Sequence, residues 1–357
     1  MNKHKKIKLF TLLILASVFL SACAGAFGAS SWPGITYDST NNLVYVAYGQ
    51  SVHALQSENG VEVWRYPNES SNSVSFYAPA QLDASGNLIV GDYNKSVSSI
   101  NPANNGLLNW TYTEAGDRFI GSSLIVGDQV IIPNADGLLY AFSESGNLQW
   151  TFDSGEAIWS TPVSDGENIY VASMNHKLFA INVRTGNQVW EQDVAGTVVS
   201  DISLDESGNI YVGTFSQEIV AVSASTGRIQ WSSPTAEWIW GGVAAINGSV
   251  YAGDLEGNLY ALDATNGAEQ WRVATGGPIT GTPLVGSESV VVGTENGQVI
   301  SVSLDGRIQW TQNFTGQAYS SPAQAGDLTL VGFVEGDNLV SALDSNGNIV
   351  WSFNPSN

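Results

Sequence analysis

The sequence predicts an all-β fold, an eight-bladed β-propeller of four-stranded antiparallel blades, and three observations carry that prediction. Eight tryptophans, Trp64, Trp110, Trp150, Trp190, Trp231, Trp271, Trp310 and Trp351, recur at intervals of 46, 40, 40, 41, 40, 39 and 41 residues. Runs of strand-forming residues separated by glycine-bearing turns lie between these marks. Only 13% of the 357 residues are charged and 38 are glycine, a mixture suited to many short strands joined tightly. A period near forty residues marks a radially repeated sheet array. Length alone would imply two domains, but eight repeats close into one body with a continuous buried layer.

The amino terminus is an address. Residues 1–22 read as a lipoprotein signal peptide, 23–30 as a lipidated cysteine with a short tether, and 31–357 as the propeller. Lys3, Lys5, Lys6 and Lys8 precede an apolar run from Leu9 to Leu20 that is too short to span a bilayer. The run ends in Leu20-Ser21-Ala22-Cys23, which resembles the lipobox cut by lipoprotein signal peptidase. Small residues fit the peptidase cleft, and the Cys23 thiol accepts a diacylglyceryl group, which tethers a soluble body to a membrane. Ala24 is not the aspartate associated with inner-membrane retention. The expected location is therefore the periplasmic face of the outer membrane, where the cell has one, and otherwise the outer surface of the cytoplasmic membrane. Cys23 is the single cysteine, so stability within one chain comes from packing and not from a disulfide.

Beyond residue 22 there are eight basic residues against 33 acidic ones, a net charge of −25. Such a surface repels phosphate backbones, which argues against nucleic-acid binding. It favours solubility, bound Ca²⁺ or a cationic partner.

Each repeat has the same parts. The clearest copy runs Ala261-Leu262-Asp263-Ala264-Thr265-Asn266-Gly267-Ala268-Glu269-Gln270-Trp271, and Ala180 to Trp190, Ala221 to Trp231 and Ala54 to Trp64 follow it. The short first residue leaves room for a neighbouring blade, the glycine supplies positive φ in the turn, and the tryptophan stands between blades. Upstream of each copy lies an apolar strand such as Ile169-Tyr170-Val171, and before it another, opened three times by Ser-Thr-Pro-like residues at Ser160-Thr161-Pro162, Gly281-Thr282-Pro283 and Ser320-Ser321-Pro322. Four strands per unit and eight units result.

This unit resembles the tryptophan-docking motif of the quinoprotein-type, PQQ-repeat propellers, and the resemblance covers residues 31–357. That superfamily includes PQQ-dependent alcohol dehydrogenases and the BamB-type outer-membrane assembly lipoproteins. The size, lipobox and blade uniformity most resemble the BamB type. This resemblance implies a non-catalytic scaffold, accessory to outer-membrane β-barrel assembly, that docks on a protein partner in the envelope. The dehydrogenases of the superfamily use PQQ with Ca²⁺ beneath a vicinal disulfide, in pockets walled by long insertions. One cysteine and nearly uniform blades argue against PQQ and Ca²⁺ here.

Other chemistry is sparse, and no catalytic residue and no metal site is expected. His53 sits on a strand and His176 in a turn. Asp83 to Asn87, Asp205 to Asn209 and Asp344 to Asn348 faintly resemble Ca²⁺ loops but lack the terminal bidentate glutamate, and they read as hairpin turns. One pattern stands out. The residue preceding each Ser-Thr-Pro-like start reads Ser30, Phe76, Ile120, Trp159, Val199, Trp240, Thr280 and Tyr319, with aromatics on blades 2, 4, 6 and 8 only. Phe76, Trp159, Trp240 and Tyr319, with Phe119 and Trp238 close by, are expected to ring one mouth of the central channel. They form either a stacking rim for a sugar, peptide or planar ligand or a plug that fills the funnel. Asp92, Asp136, Asp254, Glu256, Glu295, Glu335 and Asp337 are expected in loops on the same face, relieved by Lys95 and Lys177, and together they suit a cationic protein partner. Two functional readings follow: the protein-binding scaffold, and a surface lipoprotein that binds a ligand or carbohydrate at the aromatic mouth.

Overall fold

The computed structural model describes residues 31–68 and 74–355. The signal peptide, Cys23 and the tether lie outside the described residues. The described residues form eight four-stranded antiparallel sheets whose strands follow one another in chain order. Blade 1 comprises Gly34–Asp38, Leu43–Tyr48, Ser51–Gln56 and Glu62–Tyr66, and blade 6 comprises Val243–Ile246, Ser249–Gly253, Asn258–Asp263 and Glu269–Ala274. Blades 2, 3, 4, 5, 7 and 8 occupy 81–112, 124–153, 163–193, 203–234, 284–313 and 323–353. The apolar runs read from sequence are the second strands. Their β-branched and aromatic residues are buried on both faces because every blade is packed between two others.

Burial is organised by seam. Eight apolar clusters are present, each formed by two adjacent blades. At the seam of blades 1 and 2, Tyr45, Ala54 and Trp64 pack with Leu88, Val90 and Ile100. Ala54 pairs directly across from Trp64, so the short residue accommodates its own blade's ring as well as the neighbour. Each tryptophan then reaches the next blade and covers its turn glycine. A Cβ on Gly267, whose φ is +73°, would lie 2.5 Å from the Trp231 ring, so this turn excludes side chains on two grounds. The Trp231 Nε1 donates to Ala264 O at 3.0 Å, and Trp110, Trp150, Trp190, Trp271 and Trp310 donate likewise to the following blade.

The ring closes with the same device. Among the described residues no strand is exchanged between the first and last blades. Trp351 donates to Ser57 O of blade 1 at 2.8 Å and covers Gly60. Ile35, Val44 and Leu55 share one cluster with Leu330, Val340 and Phe353. Trp64 is the exception, because its buried Nε1 has no hydrogen-bond partner. The turn it covers, between Ser99 and Trp110, is the longest of the eight and winds into a short 3-10 segment, Pro102–Asn104.

Candidate functional site

The inner ends of the blades frame a central cavity of about 240 Å³. Strand pairing fixes which residues line its mouth. In each blade one second-strand residue lies opposite the small residue of the repeat, and its first-strand partner is Thr36, Gln81, Leu124, Val163, Ser203, Ala244, Leu284 or Ala323. Four residues upstream of these lie Trp32, Tyr77, Ile120, Trp159, Val199, Trp240, Thr280 and Tyr319, and all of them line the cavity.

This register corrects the expected ring at two places. Phe76 is 1% exposed and Phe119 0%, so both belong to the core and not to the mouth. Phe76 and Phe119 occupy equivalent positions, each donating its backbone N–H to the residue that follows a second strand, Gly49 or Asp92. Tyr77 replaces Phe76 at the mouth, and Trp32 replaces Ser30. The alternation also fails, since blade 1 carries an aromatic residue too. An aromatic arc of Tyr319, Trp32 and Tyr77 spans blades 8, 1 and 2, with Trp159 and Trp240 on the opposing half. Trp32 meets Tyr77 edge-on at 5.0 Å, and Tyr77 meets Tyr93 at 4.7 Å. The Arg118 guanidinium lies 4.8 Å over the Tyr93 ring, a cation–π contact. The Trp159 Nε1 is buried without a hydrogen-bond partner.

Trp238 is absent from the cavity lining and packs instead on Phe215, a partner that the sequence reading missed. Phe215 stacks between Trp238 at 5.1 Å and Trp240 at 5.5 Å. The two tryptophans remain 44% and 37% exposed, so the stack presents apolar surface to solvent. Glu237 flanks it, with its carboxylate accepting from the Gln217 amide at 3.2 Å.

Beneath the aromatic level the lining becomes small and hydroxylated, with Ser122, Thr161, Thr282 and Ser321. Among the described residues Asp201 is the one carboxylate side chain in this lining. Its carboxylate accepts from Thr282 Oγ1 at 3.0 Å, joining blade 5 to blade 7 across blade 6. The bridge depends on Gly242, because a Cβ there would collide with Thr282 Oγ1 and approach Asp201 Cβ at 2.8 Å.

The expected acidic rim is only partly a rim. Asp92 and Asp254 are 2% and 0% exposed, a correction. Each closes its own loop, Asp254 accepting from Glu256 N, Asn258 N and the Tyr260 hydroxyl, and Asp92 from Asn94 N and Ser96. Burial raises the Asp92 pKa, opposed by those donors. Burial and Asp254 push the Tyr260 hydroxyl up to about 12. Asp136 is half-buried, accepting from Gly116 N and the Tyr140 hydroxyl. Glu256, Glu335 and Asp337 are exposed. Glu295 is partly buried beside Tyr319, and burial raises its pKa against the pull of that hydroxyl. Lys95 donates to Gly116 O and Lys177 pairs with Glu191.

The remaining candidates have structural places. Asp83, Asp205 and Asp344 accept backbone N–H groups of their own hairpin turns. His176 is an exposed turn residue with φ +70°. His53 is buried against Phe353 at the closing seam, 3.6 Å from Glu62, and burial lowers its pKa.

An eight-bladed propeller with tryptophan-docked seams and an aromatic-mouthed central cavity is a quinoprotein-like repeat protein by architecture. The sequence profile of the family described as "Outer membrane protein assembly factor BamB" matches residues 25–233 and 255–357, and the chain belongs to that family. It is 29% identical over 146 residues to the outer membrane protein assembly factor BamB of Legionella pneumophila, over 40% of this chain and 36% of that protein. It is 27% identical over 121 residues to the tetrathionate hydrolase of Acidithiobacillus ferrooxidans, over 26% of this chain and 24% of that enzyme. The chain thus spans little more than a third of the first relative's length and about a quarter of the second's. The crystal structure of BamB from Moraxella catarrhalis superposes with a TM-score of 0.71 at 16% identity, covering 85% of this chain and 93% of that one. A computationally designed protein, Ika8, superposes at 0.76 and 12% identity, covering 89% and 98%. At those identities the two structures share the fold.

Proposed function

We propose that the protein is a non-catalytic scaffold of the cell envelope, anchored through lipidated Cys23, that binds a protein partner and serves as an accessory in outer-membrane β-barrel assembly. The single observation that carries this reading is membership of the BamB family in a chain whose blades are nearly uniform. Among the described residues no blade is enlarged into the walls of a reaction pocket, and loops are where a propeller places chemistry. The similarity to the tetrathionate hydrolase covers only 26% of this chain and 24% of that enzyme.

A PQQ–Ca²⁺ centre fits the cavity poorly. PQQ carries three carboxylates, whereas the described lining offers no lysine or arginine, and its one carboxylate is bonded to Thr282. The partner surface is the exposed Phe215–Trp238–Trp240 stack with Glu237 and Glu256 beside it. Exposed aromatic anchors in an acidic surround match a partner bearing positive charge.

Affinity capture of the lipidated protein from solubilised envelope, with mass spectrometry of what co-purifies, tests the proposal. The reading predicts recovery of a barrel-inserting outer-membrane protein and its loss with Trp238→Ala. Recovery of the protein alone contradicts it, as does cofactor-dependent turnover of an alcohol or sugar.

A further inference from the structure

The cavity meets the exposed stack at Trp240 but differs from it in chemistry. Its upper wall is aromatic and its lower wall hydroxylated. Blades four apart face one another across an eight-membered ring, so Tyr77 opposes Trp240, and Trp159 opposes Tyr319. Two opposed aromatic pairs suit a flat-sided ring held by its faces. Below them, Thr161 and Ser122 retain hydrogen-bonding capacity, since a hydroxyl can donate once and accept twice. Among the described residues Asp201 accepts one side-chain hydrogen bond, from Thr282, and a carboxylate can accept about four.

Charge narrows the ligand further. The described lining contains no cationic side chain and one carboxylate, in a chain of formal net charge −21. An anionic guest would enter unpaired and against that field. Size narrows it again, because about 240 Å³ is below the roughly 300 Å³ at which drug-sized pockets begin. A small, uncharged ring carrying many hydroxyls meets all three constraints: apolar C–H faces for the aromatics, hydroxyls for the floor, and no charge.

We propose that the central cavity is a binding site for a neutral pyranose saccharide, held between opposed aromatic side chains with Asp201 and the Thr161 and Thr282 hydroxyls taking its hydroxyl groups. Asp201 is the acceptor for sugar O–H donors. Gly242 sets the site, because only a residue without Cβ lets Asp201 and Thr282 meet over blade 6. This inference is separable from the scaffold reading, since Trp240 is shared with the Phe215–Trp238 surface but Asp201, Thr161 and Thr282 belong to the cavity alone.

The test is a titration of the full-length protein with glucose, N-acetylglucosamine and methyl galactoside, read by tryptophan fluorescence. Glucuronic acid and glucose 6-phosphate serve as charged counterparts. The expected result is saturable change with at least one neutral sugar and none with its charged counterparts. Asp201→Asn and Trp240→Ala should each weaken that binding on the order of tenfold, while Val61→Ser, in the exposed turn before the outer strand of blade 1, leaves it unchanged. Should either of those fail to fold, Thr161→Val gives the same reading on the floor. The proposal is overturned if no neutral sugar saturates, if the charged sugars bind as well, or if the cavity substitutions leave affinity intact. Partner capture by Asp201→Asn stays at the wild-type level, so the two readings fail separately.

Discussion

The seams and the mouth of this ring are built from the same repeats and obey opposite rules. At the seams the same contact recurs with little variation: a tryptophan ring over a positive-φ glycine and, at seven of eight, an indole N–H on a carbonyl of the next blade. At the mouth the equivalent position is Trp, Tyr, Ile, Trp, Val, Trp, Thr and Tyr in blade order. Repetition marks what every blade must do to stay in the ring. Where the repeat departs from itself, the side chains are released from that duty, and an asymmetric ligand or partner can be met.

Substitutions can break this comparison, beginning with the seams. Trp231→Ala removes a large ring and a hydrogen bond at a typical seam and should destabilise by about 3 kcal/mol, seen as a lower urea midpoint. Gly267→Ala should cost about 1–3 kcal/mol in the same measurement, because the new Cβ meets both positive φ and the Trp231 ring. The exceptional seam sharpens the comparison. Trp64→Phe gives up no hydrogen bond and should cost about 1 kcal/mol less than Trp231→Phe. A result equal for both would show that the Trp64 N–H finds a partner in solution.

The closing seam adds a pH dependence. Burial lowers the His53 pKa in the folded protein, so the unfolded chain binds the proton more tightly. This contribution to stability is present above about pH 6.5, the ordinary imidazole value, and is lost as pH falls from there through the folded value. Urea midpoints across this window should fall more steeply for the natural protein than for His53→Phe. Parallel curves would place the acid sensitivity elsewhere.

The seams were legible in the sequence because their chemistry is bound to a fixed spacing: Trp150, Trp190 and Trp231 are found by counting. The mouth was legible only where the marker used for alignment kept its place. Proline was that marker, and it slides. Pro162 occupies the third position after Trp159, but Pro79 occupies the second after Tyr77 and Pro33 the first after Trp32. Alignment on proline therefore returned Phe76 and Ser30, whereas counting back from the paired second strand returns Tyr77 and Trp32. The rim was misread for a different reason. An aspartate following a strand can cap its own loop, as Asp92 and Asp254 do, or face water, and the local sequence is the same. Phe215 and the Asp201–Thr282 bridge join residues 23 or more positions apart, and no local pattern announces them.

The most direct test of the division between seam and mouth is a paired measurement on Trp238→Ala, taking its urea unfolding midpoint and its capture of an envelope partner from the same preparation. The account predicts stability within about 0.5 kcal/mol of the natural protein together with loss of the partner. A drop in stability like that of Trp231→Ala, or undiminished capture, would contradict it.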